Sequence, residues 1–404
     1  MYRHLKGTVN LPGSKSESNR ALMIAAYGGF PLEVTGLSDA HDTVLLRQRL
    51  EELPSHPYRE TVVDGEDAGT VARFLMTFLA CREGTWLLTG TERLCQRPMR
   101  PLVEALRQLS ADIQYVAEEG FLPVRIQGVE IQGGRVAVDA SQSSQFVSSL
   151  LLAAPMWKEG LVLHLGPQVA STSYIDMTVA MMRQFGAEVQ VEDRTITVRP
   201  RAYRPVPFVV SPDWSAASYW YEMAAMSDDC DLLLKGLSTA GIQGDAVVAE
   251  WYQALGVETF SEAAGVRLRK ASSEVVAPLS FDFTHHPDLF PALFVTCVAL
   301  GIPAHFHGIA NLSQKESNRV ESLVAELLKV YHFEYIVNSN DIIINKSSFY
   351  PADDNEIIFN TFHDHRIAMS LACLLLKINR LSFDHPEVVA KSYPDFWKDL
   401  LLLK

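Results

Sequence analysis

The 404-residue chain is short of cysteine, of cations and of long apolar runs, and each shortage excludes something. Its five cysteines, Cys81, Cys95, Cys230, Cys297 and Cys373, stand far apart with no CxxC and no clustered histidines, which suits free thiols in a reducing compartment and offers no zinc site. No apolar run approaches the roughly 18 residues that cross a bilayer. Ala292–Leu300 is among the longest. The opening residues lack the apolar stretch of a signal peptide, so the expected location is the cytoplasm, with no membrane partner. Lys and Arg number 35 against 48 Asp and Glu, a net charge of −13 that argues against a nucleic-acid surface. An anionic substrate would then need locally gathered cations to overcome a repulsive field. GxxxxGK[ST] and GxGxxG are both missing, which leaves nucleoside-triphosphate and dinucleotide chemistry without support.

What is present is repetition. Six segments have a short polar start and an apolar helical run, beginning near Lys15, Asp67, Ser141, Asp213, His286 and Asp364. Their spacing is nearly constant except for the first step, which is shorter. A second series, strand-like runs ending in Gly36, Gly90, Gly166, Gly236 and Gly308, has a similar period. Each repeat reads strand–helix–strand–helix followed by β-rich runs, and six of them suit two pseudo-symmetric domains of three units in an α/β protein. The short first step predicts a first unit that has lost a strand pair, and the sixth copy is degenerate. The domains are expected at 14–211 and at 1–13 with 212–404.

Cations stand where helices disfavour them. The positive end of a helix dipole prefers acidic residues. Here Lys15 and Arg20 lie at one predicted helix start, Arg366 follows His365 at another, Arg97 precedes Pro98, and Lys315 and Arg319 precede a helix expected over Val320–Val330. One such violation would be noise; several together point to bound anions that reverse the sign of the effect. Ser14–Ser16, Gly69–Thr70 and Ser143–Gln145 add the hydroxyl, amide and backbone donors of a phosphate cradle. Taken singly, a Ser-Ser or Gly-Thr is usually just a cap, Arg319 could pair with Glu316 on the surface, and Lys391 could be a solvated loop residue.

With these residues in view the chain resembles the 5-enolpyruvylshikimate-3-phosphate synthase family along nearly its whole length. The resemblance rests on Leu11–Leu22 (LPGSKSESNRAL), Ala68–Thr70, Gln96–Met99, Ser143–Phe146, Ser171–Asp176, Ser215–Tyr219, Pro287–Asp288, Asn311, Lys315–Arg319, Asp364–Arg366 and Lys391. It implies two domains, each of three βαβαββ units, with the active site in the interdomain cleft and closure over substrates. It implies a transferase that moves the enolpyruvyl group of phosphoenolpyruvate to the 5-hydroxyl of shikimate 3-phosphate on the way to chorismate and the aromatic amino acids, working as a monomer without metal or cofactor. Shikimate 3-phosphate would be held by Lys15, Ser16, Arg20, Ser143, Ser144, Gln145, Ser171, Tyr174, Asp288, Asn311 and Lys315. Phosphoenolpyruvate would be held by Lys15, Gly69, Thr70, Arg97, Gln145, Arg319, Arg366 and Lys391. Lys15, Asp288, Lys315, Glu316 and His365 would carry the chemistry, Asp288 at the hydroxyl and Glu316 with Lys315 at the carbon.

The chain departs from the family pattern at Asp67, where asparagine is more usual, and at Phe74, which often is proline or leucine. Three alternatives compete: transfer of enolpyruvate to UDP-N-acetylglucosamine, a non-catalytic relative, and a structural solenoid. The sister transferase has a reactive cysteine several residues before its Arg-Pro, whereas Cys95 lies only two before Arg97. Retention of Asp288, Lys315 and Glu316 disfavours the second, and the distinct polar start of each repeat disfavours the third.

Overall fold

A computed structural model describes residues 4–54, 59–271, 275–350 and 356–402. The chain forms two compact units, Met1–Ser14 with Asp39–His41 and Ser211–Lys404, and Lys15–Ser38 with Asp42–Val210. The two segments that join them run side by side: Gly13 and Pro212 form an antiparallel bridge, and the Ser14 and Asp213 amides donate to the Ser211 and Pro12 carbonyls at 2.8 and 3.0 Å.

In the second unit, strands Thr61–Asp64, Gly84–Thr89, Asp112–Tyr115 and Val124–Gly128 form one sheet. The first two are parallel, with helix Gly69–Ala80 between them in sequence; the fourth lies antiparallel between the second and third. Strands Gly134–Ala140, Leu161–Val169, Val189–Glu192 and Thr195–Val198 repeat this order. The third sheet is only a parallel pair, Val34–Thr35 with Phe208–Val209. Among the described residues no strand lies between helix His41–Glu52 and Thr61, where the other two repeats of this unit have a hairpin.

The other unit follows the same plan. His4–Asn10 pairs in parallel with Asp229–Lys235, which continues antiparallel to Gly265–Lys270 and Val257–Glu262. Leu279–Asp282, Ala304–His307, Asp341–Ile344 and Tyr335–Val337 repeat the order. Ile357–Phe359 and Leu381–Phe383 form a parallel pair, followed by helix Phe396–Leu402 where a hairpin would stand. Thus each unit has, among the described residues, two complete βαβαββ copies and one that stops short.

Within each repeat the helix after the first strand is the inner one. Gly69–Ala80 and Ser144–Ala153 pack on each other and on Lys15–Gly28, and all but one or two of the residues of the first two are buried. Trp214–Met226 and His365–Ala372 are buried at every position and pack with Phe290–Leu300. These helices read as apolar almost all round because they are enclosed on all sides. Asp213, Ser143 and Asp364 each cap such a start, accepting from the amides of Ala216, Gln145 and Arg366 at 2.8, 3.2 and 2.9 Å. The helix expected over Val320–Val330 spans Arg319–Leu327, with Asn318 as its cap.

Candidate active site

In the unit that begins at Lys15, the expected residues cluster at the first turns of the inner helices. Lys15 opens the first helix and its Nζ lies 3.0 Å from the buried Asp42 carboxylate. Gln145 bridges two helix starts, donating to Thr70 Oγ1 at 2.8 Å and accepting from Arg73 at 2.7 Å. Arg73 also donates to Ser143 Oγ and to the Pro98 carbonyl, with its guanidinium 4.9 Å from the Phe146 ring. Gly69 is the point of closest approach: a Cβ there would lie 2.5 Å from Nη1 of Arg97, so only glycine lets that guanidinium rest on the helix start. Ser171 caps its helix from the left-handed region, φ 57°, a conformation a non-glycine residue adopts only under constraint from its surroundings. Tyr174 follows one turn on, half-buried.

Arg20 is held by several partners at once. It is 2% exposed and donates to Thr178 Oγ1, Ser148 Oγ and the carbonyls of Ser16 and Tyr174, at 2.7, 3.2, 2.9 and 3.0 Å. Burial pushes its guanidinium down to about 10, against the opposing pull of Tyr174 and Glu17. Arg20 therefore fastens helices Lys15–Gly28, Ser144–Ala153 and Thr172–Gln184 together. Phe74, one of the departures, is buried with its ring 5.7 Å from that guanidinium. Asp67, the other, lies half-buried just ahead of Gly69.

The second cluster is an ion-pair network in the other unit. Arg319, at the first helical position after Asn318 and 1% exposed, directs each of its three nitrogens at a different carboxylate. Nε reaches Asp364 at 2.9 Å, Nη1 reaches Asp288 at 3.0 Å, and Nη2 reaches Glu316 at 2.9 Å. Arg366 holds the second Asp288 oxygen at 2.6 Å and touches the Tyr219 hydroxyl at 3.4 Å. Ser317 donates to Asp364 at 3.1 Å. Burial alone would raise the Asp288 carboxyl, but Arg366, Lys315 and Arg319 outweigh it and hold it well below the usual carboxylate range. The three carboxylates likewise outweigh burial at Arg319 and push its guanidinium up. His365 is buried, its Nδ1 3.7 Å from Asp364, while Asn311 lies in the turn Ala310–Gln314 and Lys391 ends the turn Pro386–Lys391, both buried.

Several residues of these clusters escape a sequence reading. Asp42 and Thr178 sit in ordinary amphipathic helices and nothing marks them. Arg73 has a visible signal, as the single charge in an otherwise apolar helix, Gly69–Ala80, where a buried cation must find partners. The view that the histidines do not cluster is corrected: His305 and His307 lie with Asp341 on neighbouring strands, every pair of their candidate ligand atoms within 4.8 Å. The sequence hid this because the strand pairing that brings Asp341 in is made across a long intervening segment. Cys95 has no partner of that kind; its thiol donates to the Gly90 carbonyl at 3.5 Å.

Comparison with known proteins agrees with this architecture. The family profile described as EPSP synthase (3-phosphoshikimate 1-carboxyvinyltransferase) matches residues 2–61 and 51–400. A 3-phosphoshikimate 1-carboxyvinyltransferase of Bacteroides fragilis is 40% identical over 397 residues, covering 98% of this chain and 95% of that protein. One from Sulfurovum is 31% identical, covering 98% and 96%. The EPSP synthase structure from Acinetobacter baumannii superposes with a TM-score of 0.74 at 25% identity, covering 99% of this chain and 96% of that one. The enolpyruvyl transferase NikO from Streptomyces tendae has the same fold, with a TM-score of 0.73 at 16% identity over 99% and 95%. The chain belongs to the EPSP synthase family.

Proposed function

We propose that this enzyme transfers the enolpyruvyl group of phosphoenolpyruvate to the 5-hydroxyl of shikimate 3-phosphate, releasing phosphate, as a cytoplasmic monomer of aromatic amino acid biosynthesis. The observation that carries the reading is Asp288 clasped by Arg319 and Arg366 beside Glu316, an acid–base set already saturated with cations.

In the reaction the hydroxyl oxygen adds to C2 of phosphoenolpyruvate while C3 gains a proton, giving a tetrahedral intermediate. The C–O bond to phosphate then breaks as the new methyl group returns a proton, which leaves the enol ether. Asp288 accepts the hydroxyl proton, and Glu316 with Lys315 serves the carbon. The carboxylate and phosphate of the donor compete with Asp288 for Arg366 and Arg319. Losing those partners raises the basicity of Asp288 just when the hydroxyl arrives, so the donor itself prepares the base. Lys15, Gly69, Thr70, Gln145, Arg97 and Lys391 supply the remaining donors to the anions, and His365 stabilises charge beside Arg366. Ser16, Arg20, Ser143, Ser144, Ser171, Tyr174 and Asn311 hold the acceptor.

Phosphate release by purified protein tests the proposal. It is expected only when both substrates are present and should fall by about 10²-fold or more in Lys15→Ala and Glu316→Gln. Turnover with UDP-N-acetylglucosamine in place of shikimate 3-phosphate would overturn the acceptor assignment. Silence with either acceptor would leave an anion-binding relative without catalysis.

Gly69→Ala gives a second test. The added methyl meets the far end of the Arg97 side chain, which can swing away at little cost to the fold. The expected result is a KM for phosphoenolpyruvate raised about 10-fold, roughly 1.4 kcal/mol of donor binding, with thermal stability nearly unchanged.

A further inference from the structure

His305 and His307 alternate with the core residues Ala304 and Phe306 along one strand, so both imidazoles stand on the outer face of its sheet. Asp341 on the neighbouring antiparallel strand is in register with His307. Its Oδ1 lies 2.6 Å from His307 Nδ1 and 3.3 Å from His305 Nε2. The two rings lie against each other at a 43° tilt, with centroids 3.6 Å apart. Two imidazolium ions would repel at that separation, yet both ring nitrogens converge on one carboxylate oxygen. His305 Nε2 is shielded from solvent and makes no well-formed hydrogen bond among the described residues. A surface His–Asp pair would satisfy His307 alone; it would not account for a second, adjacent imidazole aimed at the same oxygen.

We propose that His305, His307 and Asp341 form a binding site for one late first-row divalent cation, with zinc the natural candidate. Two neutral imidazoles and a carboxylate are the ligand chemistry such ions prefer, with bond lengths of about 2.0–2.2 Å that modest side-chain rotation from the present spacing would meet. Three protein ligands leave a position for water. All three side chains are partly exposed, so the ion has a route in.

The site would act on the fold around it. His307 is followed by Gly308, whose φ is 70° and where a Cβ would lie 2.3 Å from the Thr284 amide nitrogen. Beyond it the chain is tied back by the Ile309 amide to the Asn340 carbonyl at 3.1 Å, next to Asp341, and runs on to Lys315 and Glu316. A cation across His307 and Asp341 staples the two strands at the base of that segment. The site is separate from the substrate residues and stands or falls independently of the proposed reaction.

Untagged, chelator-treated protein titrated with Zn²⁺ tests the site by calorimetry and by metal analysis after dialysis. One ion per chain is expected, with a rise in Tm. The double variant His305→Ala/His307→Ala should lose at least about 10-fold in affinity, and Asp341→Asn a comparable amount, while His385→Ala, at a separate pair of adjacent histidines, should not change it. Wild-type protein loaded with Co²⁺ should show strong visible bands of a low-coordinate site and paramagnetic shifts on the His305 and His307 ring protons. That measurement decides the assignment even where a variant fails to fold. Uptake unchanged in the double variant, ring protons unshifted by Co²⁺, or no uptake by the wild type would each overturn the proposal.

Discussion

Arg319→Lys is expected to remove most activity and to destabilise the protein together, although it conserves charge. The guanidinium serves three carboxylates from three nitrogens, and those carboxylates approach from different directions. An ammonium is a single point of charge on a flexible stem and reaches one of them well. Asp364 is fully buried, and Asp288 and Glu316 keep less than a fifth of their side-chain surface in solvent. Taking one partner from a buried ion pair costs about 3–5 kcal/mol, because the remaining charge stays desolvated without compensation. Asp364 also caps helix His365–Ala372, so its displacement loosens the backbone that carries Arg366. The substitution should therefore lower the free energy of unfolding measured in urea by an amount in that range and lower kcat/KM by about 10²- to 10³-fold, the cost of a misplaced donor in a preorganised site. Stability within about 1 kcal/mol of the wild type would show that the three-way bridge contributes little.

Glu222→Gln is expected to stabilise the protein, by an amount that grows with pH. Glu222 lies in the fully buried helix Trp214–Met226, enclosed by core residues, with the Cys373 thiol its polar neighbour and no well-formed hydrogen bond to either carboxyl oxygen. Burial holds its carboxyl well above the ordinary glutamate range. The native state thus keeps the proton while the unfolded chain releases it above its ordinary value of about 4.3. Stability from this group is fully present below that pH and declines by about 1.4 kcal/mol per unit as pH rises towards the raised native value. Glutamine holds a similar shape without titrating, so the variant should match the wild type near pH 4 and be more stable by several kcal/mol near pH 7. Urea unfolding at a series of pH values measures both slopes. Parallel curves for the two proteins would mean that Glu222 ionises in the folded state, or that water reaches it.

The repeat was legible because each copy must bury one inner helix, and an enclosed helix shows as an apolar run with a polar start. The missing hairpin of the first repeat was likewise visible as a shortened step. The helix starts could be placed to within two or three residues, since Ser143, Asp213 and Asp364 are residues that cap. The protein partners of Arg20 were not legible. Its place in the first helix marked it as a cation near an anion, and only the fold shows that Thr178, Ser148 and two carbonyls receive its guanidinium. Helical spacing tells which residues share a face but not what the neighbouring helix offers to that face.

By itself the sequence determined the α/β repeat plan, the turns at which cations gather and the residue types available for acid–base work, because these depend on local periodicity and on helix-end electrostatics. Only the tertiary structure decided which charges meet. Arg319 could have been a surface arginine paired with Glu316 alone; the packing of three separate first turns gives it Asp288 and Asp364 as well. Asp42 under Lys15, Arg73 between Ser143 and Gln145, and Asp341 beside two histidines are likewise products of distant pairing. The physical reason is common to all of them: a charge is committed to its partner by burial and geometry across the fold, and neither quantity is written in the spacing of neighbours along the chain.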